Sequence, residues 1–325
     1  MALETGANVQ GVLALEADEV VVERTRAEPR PRLASPTSEP RWVQWLLLLA
    51  ALGFLLSFLL LPLVLVFSEA LRHGVDAFLA AVREPDALAA IRLTLLVTAI
   101  VLPLNLVFGV AAAWAVSKHE FPGKRVLVSL IDLPFAVSPV VAGLLFILIF
   151  GAHGWAWPLI DEGLTLGLPV LGQVHLQLPK VVFALPGIVL ATVFVTFPFI
   201  ARELMPLMEQ QGSDEELAAL SLGASGWQTF WRVTLPNIRW GLLYGVLLCG
   251  ARAMGEFGAV SVVSGHIRGR TNTLPLHVEI LYNEYAYSAA FAAASLLALS
   301  ALVTLVLKTW LEWRHGESLA ANHRH

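Results

Sequence analysis

Long apolar runs alternate with short polar segments along most of the chain. Six of these runs reach about 20 residues, the length that an α-helix needs to cross the hydrocarbon core of a bilayer. They predict six transmembrane helices, at residues 45–67, 90–116, 126–150, 181–200, 241–263 and 288–310. Prolines inside several runs predict bent helices packed in a bundle, where neighbours satisfy the freed carbonyls. The predicted fold class is an all-α, polytopic membrane protein.

Composition supports a membrane location and separates the two ends of the chain. The 325 residues are 57% hydrophobic and 14% charged, whereas soluble domains have about 25% charged residues. Residues 1–41 hold five Arg and seven acidic residues, with a Pro-rich stretch and no apolar run near Met1. We therefore predict a disordered cytoplasmic tail at 1–41, not a cleavable signal peptide. A transmembrane domain at 42–313 and a short cytoplasmic tail at 314–325 complete the predicted organisation.

Basic residues predict the orientation of the chain. With the N-terminus inside, the inner segments contain 14 of the 21 Lys and Arg residues and the outer segments contain six. Inner loops of membrane proteins carry such an excess of positive charge. The bias predicts a multi-pass membrane protein with both termini in the cytoplasm.

The polar segment 211–239 lies on the predicted cytoplasmic side and reads as two short helices. Ser213 and Glu216 match a capping box, as do Ser225 and Gln228 twelve residues later. Gly223 between them can adopt the left-handed conformation that ends a helix.

The second of these helices is predicted to have a buried face and to be interrupted at Pro236. The i, i+3, i+4, i+7 spacing that indicates this face belongs to Trp227, Phe230, Trp231 and Thr234. A DNA-binding helix-turn-helix is the alternative, but the second helix offers only Arg232 as a basic residue, and the formal net charge is −4. Phosphate contacts need a basic surface, so we expect no nucleic acid partner.

Segment 211–239 resembles the cytoplasmic EAA coupling loop of ABC importer permeases. The matching residues are Ala218, Ala219, Gly223, Ala224, Phe230, Leu235 and Pro236. The glutamate of this motif would fall at Leu217, and the nearest carboxylate is Glu216, which lies about 100° away around a helix. The downstream text from RVTLPNIRW to LYNEY is similar to a narrower group, the permeases of sulfate and thiosulfate importers.

The resemblance implies a type I importer permease of the bacterial inner membrane that forms half of a transmembrane pathway. It also implies a second, homologous permease subunit, two ATPase subunits that hold ATP and magnesium, and an external sulfate-binding protein, all within membrane lipid. A molybdate or tungstate permease remains an alternative because these tetrahedral oxyanions share size and charge. A stand-alone secondary carrier is a further alternative, although we find no inverted repeat of the kind that many carriers contain.

The sequence offers no catalytic or metal-binding motif. It contains no G-x-x-x-x-G-K-[ST], no H-E-x-x-H and no C-x-x-C, which are signatures of nucleotide, zinc and redox sites. We therefore expect a non-enzymatic subunit that holds no metal or cofactor itself.

Two groups of polar residues are candidates for the translocation path, one at membrane depth and one in the turn segment that follows. Arg252 and Glu256 are spaced i, i+4 in an apolar run, so they share one helix face. They are either a self-neutralising structural pair or a paired cation that a passing anion contacts. Ser264 and Thr271 belong to a Gly-rich segment that suits either an anion site or a solvated loop.

Two other polar residues lie inside apolar runs. We expect Asn105 to bond a neighbouring helix. For Asp132, near the cytoplasmic end of its run, we expect a local hydrogen bond or a side chain that reaches the interface.

Overall fold

The computed structural model describes residues 40–161, 164–168, 172–176 and 179–321. The predicted tail at 1–41 lies almost wholly outside the described residues. Internal contacts divide the chain into two units, Met1–Leu60 and Leu61–His325. In the first unit, helix α1 (Arg41–Leu55) continues into the π-helical segment Leu56–Leu60.

The described part of the second unit is helical apart from two paired strands, so the all-α architecture is confirmed. Its helices are α2 (Leu61–Ala70), α3 (Val75–Arg83), α4 (Pro85–Lys118), α5 (Lys124–Ala136), α6 (Pro139–Phe150), α7 (Trp157–Asp161), α8 (Leu185–Gln211), α9 (Asp214–Ser221), α10 (Gly226–Thr229), α11 (Leu235–Met254), α12 (Gly258–Val263), α13 (Leu274–Asn283) and α14 (Tyr287–Ala321). Between α7 and α8, strands β1 (Leu164–Leu168) and β2 (Gly172–Leu176) pair antiparallel, with Leu164 opposite Leu176. A second π-helical segment, Phe230–Thr234, joins α10 to α11.

The described residues contain four helical segments long and apolar enough to cross a membrane, or five if a bent pair counts as one span. The four are Arg41–Ala70, Pro85–Lys118, Leu185–Gln211 and Tyr287–Leu311. The predicted count of six continuous spans is therefore not reproduced. The differences lie in the third and fifth predicted spans.

The third predicted span bends by 108° between α5 and α6. Val137 and Ser138 have extended backbones, with ψ of 132° and 134°. A residue that precedes proline avoids the helical region for steric reasons, and Ser138 precedes Pro139. The apolar composition of 126–150 predicted the span, but the proline decides its shape.

The fifth predicted span, 241–263, is broken rather than continuous. Helix α11 ends at Met254, and α12 begins at Gly258. Glu256 lies in the break. Ionisable groups at membrane depth usually face a cavity or a partner, and the break gives this carboxylate a neighbouring backbone N–H as well as a cation.

Helices α4, α8 and α11 form the main core of the second unit. Asn105 of α4 donates to Thr196 Oγ1 of α8 at 2.7 Å and to Cys249 Sγ of α11 at 3.3 Å. The prediction that Asn105 bonds a neighbouring helix is confirmed, and one amide joins three helices. At Gly109, a Cβ would lie 2.8 Å from Ile200 Cγ2, so glycine permits the close approach of α4 and α8.

Candidate coupling loop and translocation path

The turn between α9 and α10 has the predicted left-handed glycine. Gly223 has φ of 87°, and its N–H donates to Leu220 O at 3.0 Å. Ala224 N–H donates to Ala219 O, also at 3.0 Å. These two bonds satisfy carbonyls at the end of α9, as a left-handed residue after a helix allows. The prediction that a left-handed Gly223 ends the first helix of the loop is therefore confirmed.

One of the two predicted capping boxes is present. Ser225 Oγ accepts from Gln228 N at 3.3 Å, and Gln228 Oε1 accepts from Ser225 N at 2.9 Å. The box predicted at Ser213 is wrong, because the Ser213 side chain makes no cap hydrogen bond. Its intended partner, Glu216, is engaged elsewhere.

Glu216 is mostly enclosed and joins α9 to the π-helical segment of the loop and to the end of α4. Its Oε1 accepts from Thr234 Oγ1 at 2.7 Å, just before α11, and its Oε2 lies 3.2 Å from Lys118 Nζ at the end of α4. The side chains of Lys118 and Glu216 are only 7% and 16% exposed. Lys118 Nζ also donates to Gly212 O. With these partners, the Glu216 carboxylate stabilises contacts between separate segments of this chain.

Sequence reasoning missed Lys118, which pairs with Glu216. Nothing local marks it, because its partners lie far away in the chain. Trp114, one turn earlier on α4, makes an edge contact with Phe230 at 6.3 Å between ring centroids. The loop therefore contacts the end of α4 through an ion pair and an aromatic pair.

The loop exposes several large apolar side chains among its polar residues. Leu217, Leu220, Leu222, Trp227 and Trp231 are all exposed. The predicted buried face of the second helix is thus wrong for Trp227 and Trp231 and holds for Thr234, which is buried; Phe230 is half-buried. The predicted interruption at Pro236 takes the form of the π-helical segment before α11. Exposed apolar side chains of this kind are typical of an interaction site.

Arg252 and Glu256 form an ion pair across the break in the fifth span. Arg252 Nη1 lies 2.7 Å from Glu256 Oε2, and the side chains are 35% and 1% exposed. Glu256 Oε1 accepts from Ala259 N at 3.0 Å, in the first turn of α12. The carboxylate therefore links the last turn of α11 to the start of α12.

The surroundings of Glu256 are polar but tightly closed. Thr94, Thr192 and Thr273 line a void of about 10 Å³ beside it. A void of this size holds one water at most. Of the two side chains in the pair, Arg252 is the one with substantial exposure.

The hydroxyls of Ser264 and Thr271 hold the turn after α12. Thr271 Oγ1 donates to Ser264 O at 2.6 Å and accepts from Ile267 N at 3.2 Å. Ser264 Oγ accepts from His266 N at 3.2 Å. Both residues are buried, and a role for them on the translocation path stays a prediction.

Asp132 has a long-range partner that sequence reasoning did not name. Its Oδ1 lies 2.6 Å from Arg202 Nε, so the pair joins α5 to α8. Among the described residues, no group of three or more His, Cys, Asp or Glu could hold a metal ion.

Comparison with known protein families identifies the family to which this fold belongs. Residues 105–315 match the family described as "Binding-protein-dependent transport system inner membrane component". The chain belongs to this family. The match covers the coupling loop, the ion pair and the last span of the permease.

Individual relatives cover nearly all of the permease. It is 49% identical over 86% of its length to the sulfate transport system permease protein CysW of Synechocystis sp., covering 96% of that protein. It is 50% identical over 84% of its length to CysW of Escherichia coli K12, covering 89%. It is also 32% identical over 84% of its length to CysT of the same E. coli strain, covering 93%.

A solved structure supports the fold alone. The permease resembles a chain of a bacterial alginate ABC transporter in complex with an alginate pentasaccharide-bound periplasmic protein, at a TM-score of 0.66 and 18% identity. The alignment covers 84% of the permease and 94% of that chain.

Proposed function

We propose that this chain is the permease subunit of an ATP-driven sulfate importer, and that thiosulfate is also a substrate. The observation that carries the proposal is its identity of about half to two CysW proteins over most of their length. The coupling loop, with its left-handed Gly223 and exposed apolar side chains, supports a contact with a separate ATPase.

The proposed assembly contains a second permease, two ATPases and an extracytoplasmic binding protein. One bacterium has both CysW and CysT, and this chain is similar to each, which supports a pair of homologous permeases. The structural neighbour in complex with a periplasmic protein supports delivery of the anion by such a protein. ATP and magnesium belong to the ATPases, since this sequence has no P-loop.

The proposed mechanism is alternating access driven from the loop. When the ATPases close, α9 and α10 move together, and Lys118–Glu216 transmits the movement to α4. Asn105 then links α4 to α8 and α11, and α11 carries Arg252 into the pathway. The anion sheds water in the pore, and the guanidinium, already paired with Glu256, contacts it briefly enough for release.

Uptake by the reconstituted complex tests the substrate and the class of transporter. Proteoliposomes with both permeases, the ATPases and the binding protein should accumulate labelled sulfate only with internal ATP, and thiosulfate should compete. Stronger competition by molybdate or tungstate than by thiosulfate would assign the other oxyanions. Uptake by this chain alone, without ATPase, would identify a secondary carrier.

A further inference from the structure

A groove on the second unit runs between α4, α11 and α14, away from the coupling loop; on α11 its lining extends to Ala251 and Met254, next to Arg252. Its volume is about 460 Å³, and it is open along one side. Leucine and valine side chains form most of its wall, among them Leu102, Val246, Leu299, Val303 and Leu307.

The polar atoms in the wall are already satisfied. Thr98 Oγ1 donates to Thr94 O at 2.8 Å, Ser300 Oγ donates to Leu297 O at 2.7 Å, and Thr304 Oγ1 donates to Ser300 O at 2.9 Å. The first of these bonds lies within α4 and the other two lie within α14. The groove therefore offers a hydrocarbon surface, which suits a lipid chain and not a hydrated anion.

The length of the groove matches one leaflet of a bilayer. Leu296 lines the groove toward one end of α14, and Leu307 lines it toward the other end, next to Lys308. The twelve residues from Leu296 to Leu307 span about 17 Å along a helix. Half of a hydrocarbon core is about 15 Å thick.

Cations and aromatic rings gather at the Lys308 end. Lys308 Nζ lies 5.0 Å from the centre of the Tyr244 ring, which fixes α14 beside α11 at this level. Arg239 stacks on Trp240 at 5.0 Å, and Arg314 stacks on Trp310 at 5.3 Å. Arg239 lies five residues from Tyr244 on α11, and Arg314 lies six residues from Lys308 on α14. These separations correspond to roughly 8–9 Å along each helix. Such a set of residues is typical of the headgroup level.

We propose that this groove is a binding site for an anionic phospholipid. One acyl chain lies along α4, α11 and α14, and the phosphate contacts Lys308 with Arg239 or Arg314. Shape favours a chain over a protein helix, because a helix of diameter about 10 Å and the same length has roughly three times the volume. Charge favours an anionic headgroup over a zwitterionic one. The site depends on neither the transported anion nor the orientation of the chain.

Native mass spectrometry of the complete detergent-purified transporter tests the site. Phosphatidylglycerol and phosphatidylcholine with identical acyl chains are added at equal concentration. We expect the wild type to retain one phosphatidylglycerol on this chain and little phosphatidylcholine. Lys308→Gln should weaken retention about fivefold, because one basic residue near an anionic surface contributes about 1 kcal/mol.

Two matched pairs of variants separate the groove from general lipid contact. Val303→Trp fills the groove and should abolish retention, whereas Leu305→Trp, which places the same indole ring outside the groove lining, should not. Lys308→Gln is paired with Arg125→Gln, which removes a basic residue from the start of α5.

The proposal is overturned if the two lipids are retained equally or if Val303→Trp keeps the bound lipid. It is also overturned if a photo-crosslinker at position 303 labels the second permease instead of lipid, since a helix of that subunit then occupies the groove. Lys308→Gln keeps the proposal testable if Val303→Trp does not assemble, because Lys308 is only half-buried at the edge of the protein.

Discussion

At the scale of single residues, Gly223 is fixed by a backbone angle and not by crowding. Its φ is 87°, and a Cβ there would meet nothing within 4 Å. An L-residue in the left-handed region costs about 1–2 kcal/mol, so Gly223→Ala should distort the turn and lower ATPase activity stimulated by the loaded binding protein.

Gly226→Ala is the matched control for this substitution. Gly226 has no positive φ and also has open space around its missing Cβ. We expect its stimulated ATPase activity to equal that of the wild type. Full stimulation in an assembled Gly223→Ala complex would show that the turn is not needed for coupling.

Glu216 carries a second prediction at this scale. Its hydrogen bond to Thr234 and its ion pair with Lys118 are mostly enclosed, and a hydrogen bond to a charged group contributes about 1.5–3 kcal/mol. Glu216→Ala should lower thermal stability and coupling while the ATPase still co-purifies. Lys118→Met with Glu216→Ala should cost less than the sum of the single changes. Loss of the ATPase from Glu216→Ala would instead make Glu216 a direct contact in place of the glutamate missing at Leu217.

At the scale of elements, apolar runs gave the position of the helices but not their breaks. The bend before Pro139 follows a known backbone rule and was foreseeable in kind. The break at residues 255–257 was not, because Arg252 and Glu256 have i, i+4 spacing and fit one continuous helix equally well. The Lys118–Glu216 and Asp132–Arg202 pairs join distant segments, and no local pattern encodes such contacts. The exposure of Trp227 and Trp231 was also not predictable. Helical periodicity identifies an apolar stripe, but it does not distinguish a stripe that packs inside the chain from one that packs against another chain.

The break between α11 and α12 leads to a separate prediction for the Arg252–Glu256 pair. Arg252→Gln leaves Glu256 buried beside α12 without its cation, so stability and transport should both fall. Adding Glu256→Gln removes the unpaired charge and should restore thermal stability, because loss of a whole buried pair is often nearly neutral. Labelled sulfate uptake, normalised to assembled complex, should stay low if the guanidinium contacts the anion. Recovery of uptake in the double variant would leave the pair with a structural role only.

Helix α13 contains a buried histidine that predicts a pH dependence of stability. Burial lowers the pKa of His277 below its ordinary value of 6.5, although Glu84 and Asp86 act in the opposite direction. Its Nε2 has no hydrogen-bond partner among the described residues. The folded state thus binds the proton more weakly than the unfolded state, so stability is present above pH 6.5 and decreases as the pH falls below it.

Thermal unfolding between pH 7.5 and about pH 5 measures this effect. The wild type should lose more stability on acidification than His277→Gln. His73→Gln, a change at an exposed site, should keep the wild-type dependence. Equal slopes for the wild type and His277→Gln would mean that other groups cause the acid sensitivity.

At the scale of the whole molecule, the excess of Lys and Arg on one side predicts that the coupling loop faces the cytoplasm. The chain offers a clean test, because its single cysteine, Cys249, is buried in the core and should react little. Ser213→Cys places a thiol at an exposed position of the coupling loop, and Asn283→Cys places one at the exposed last residue of α13. In right-side-out membrane vesicles, a membrane-impermeant maleimide should label Asn283→Cys and not Ser213→Cys. Permeabilised vesicles should label both, and the wild type should give the background in each case. Labelling of Ser213→Cys in intact vesicles would reverse the orientation and place the loop out of reach of any cytoplasmic ATPase.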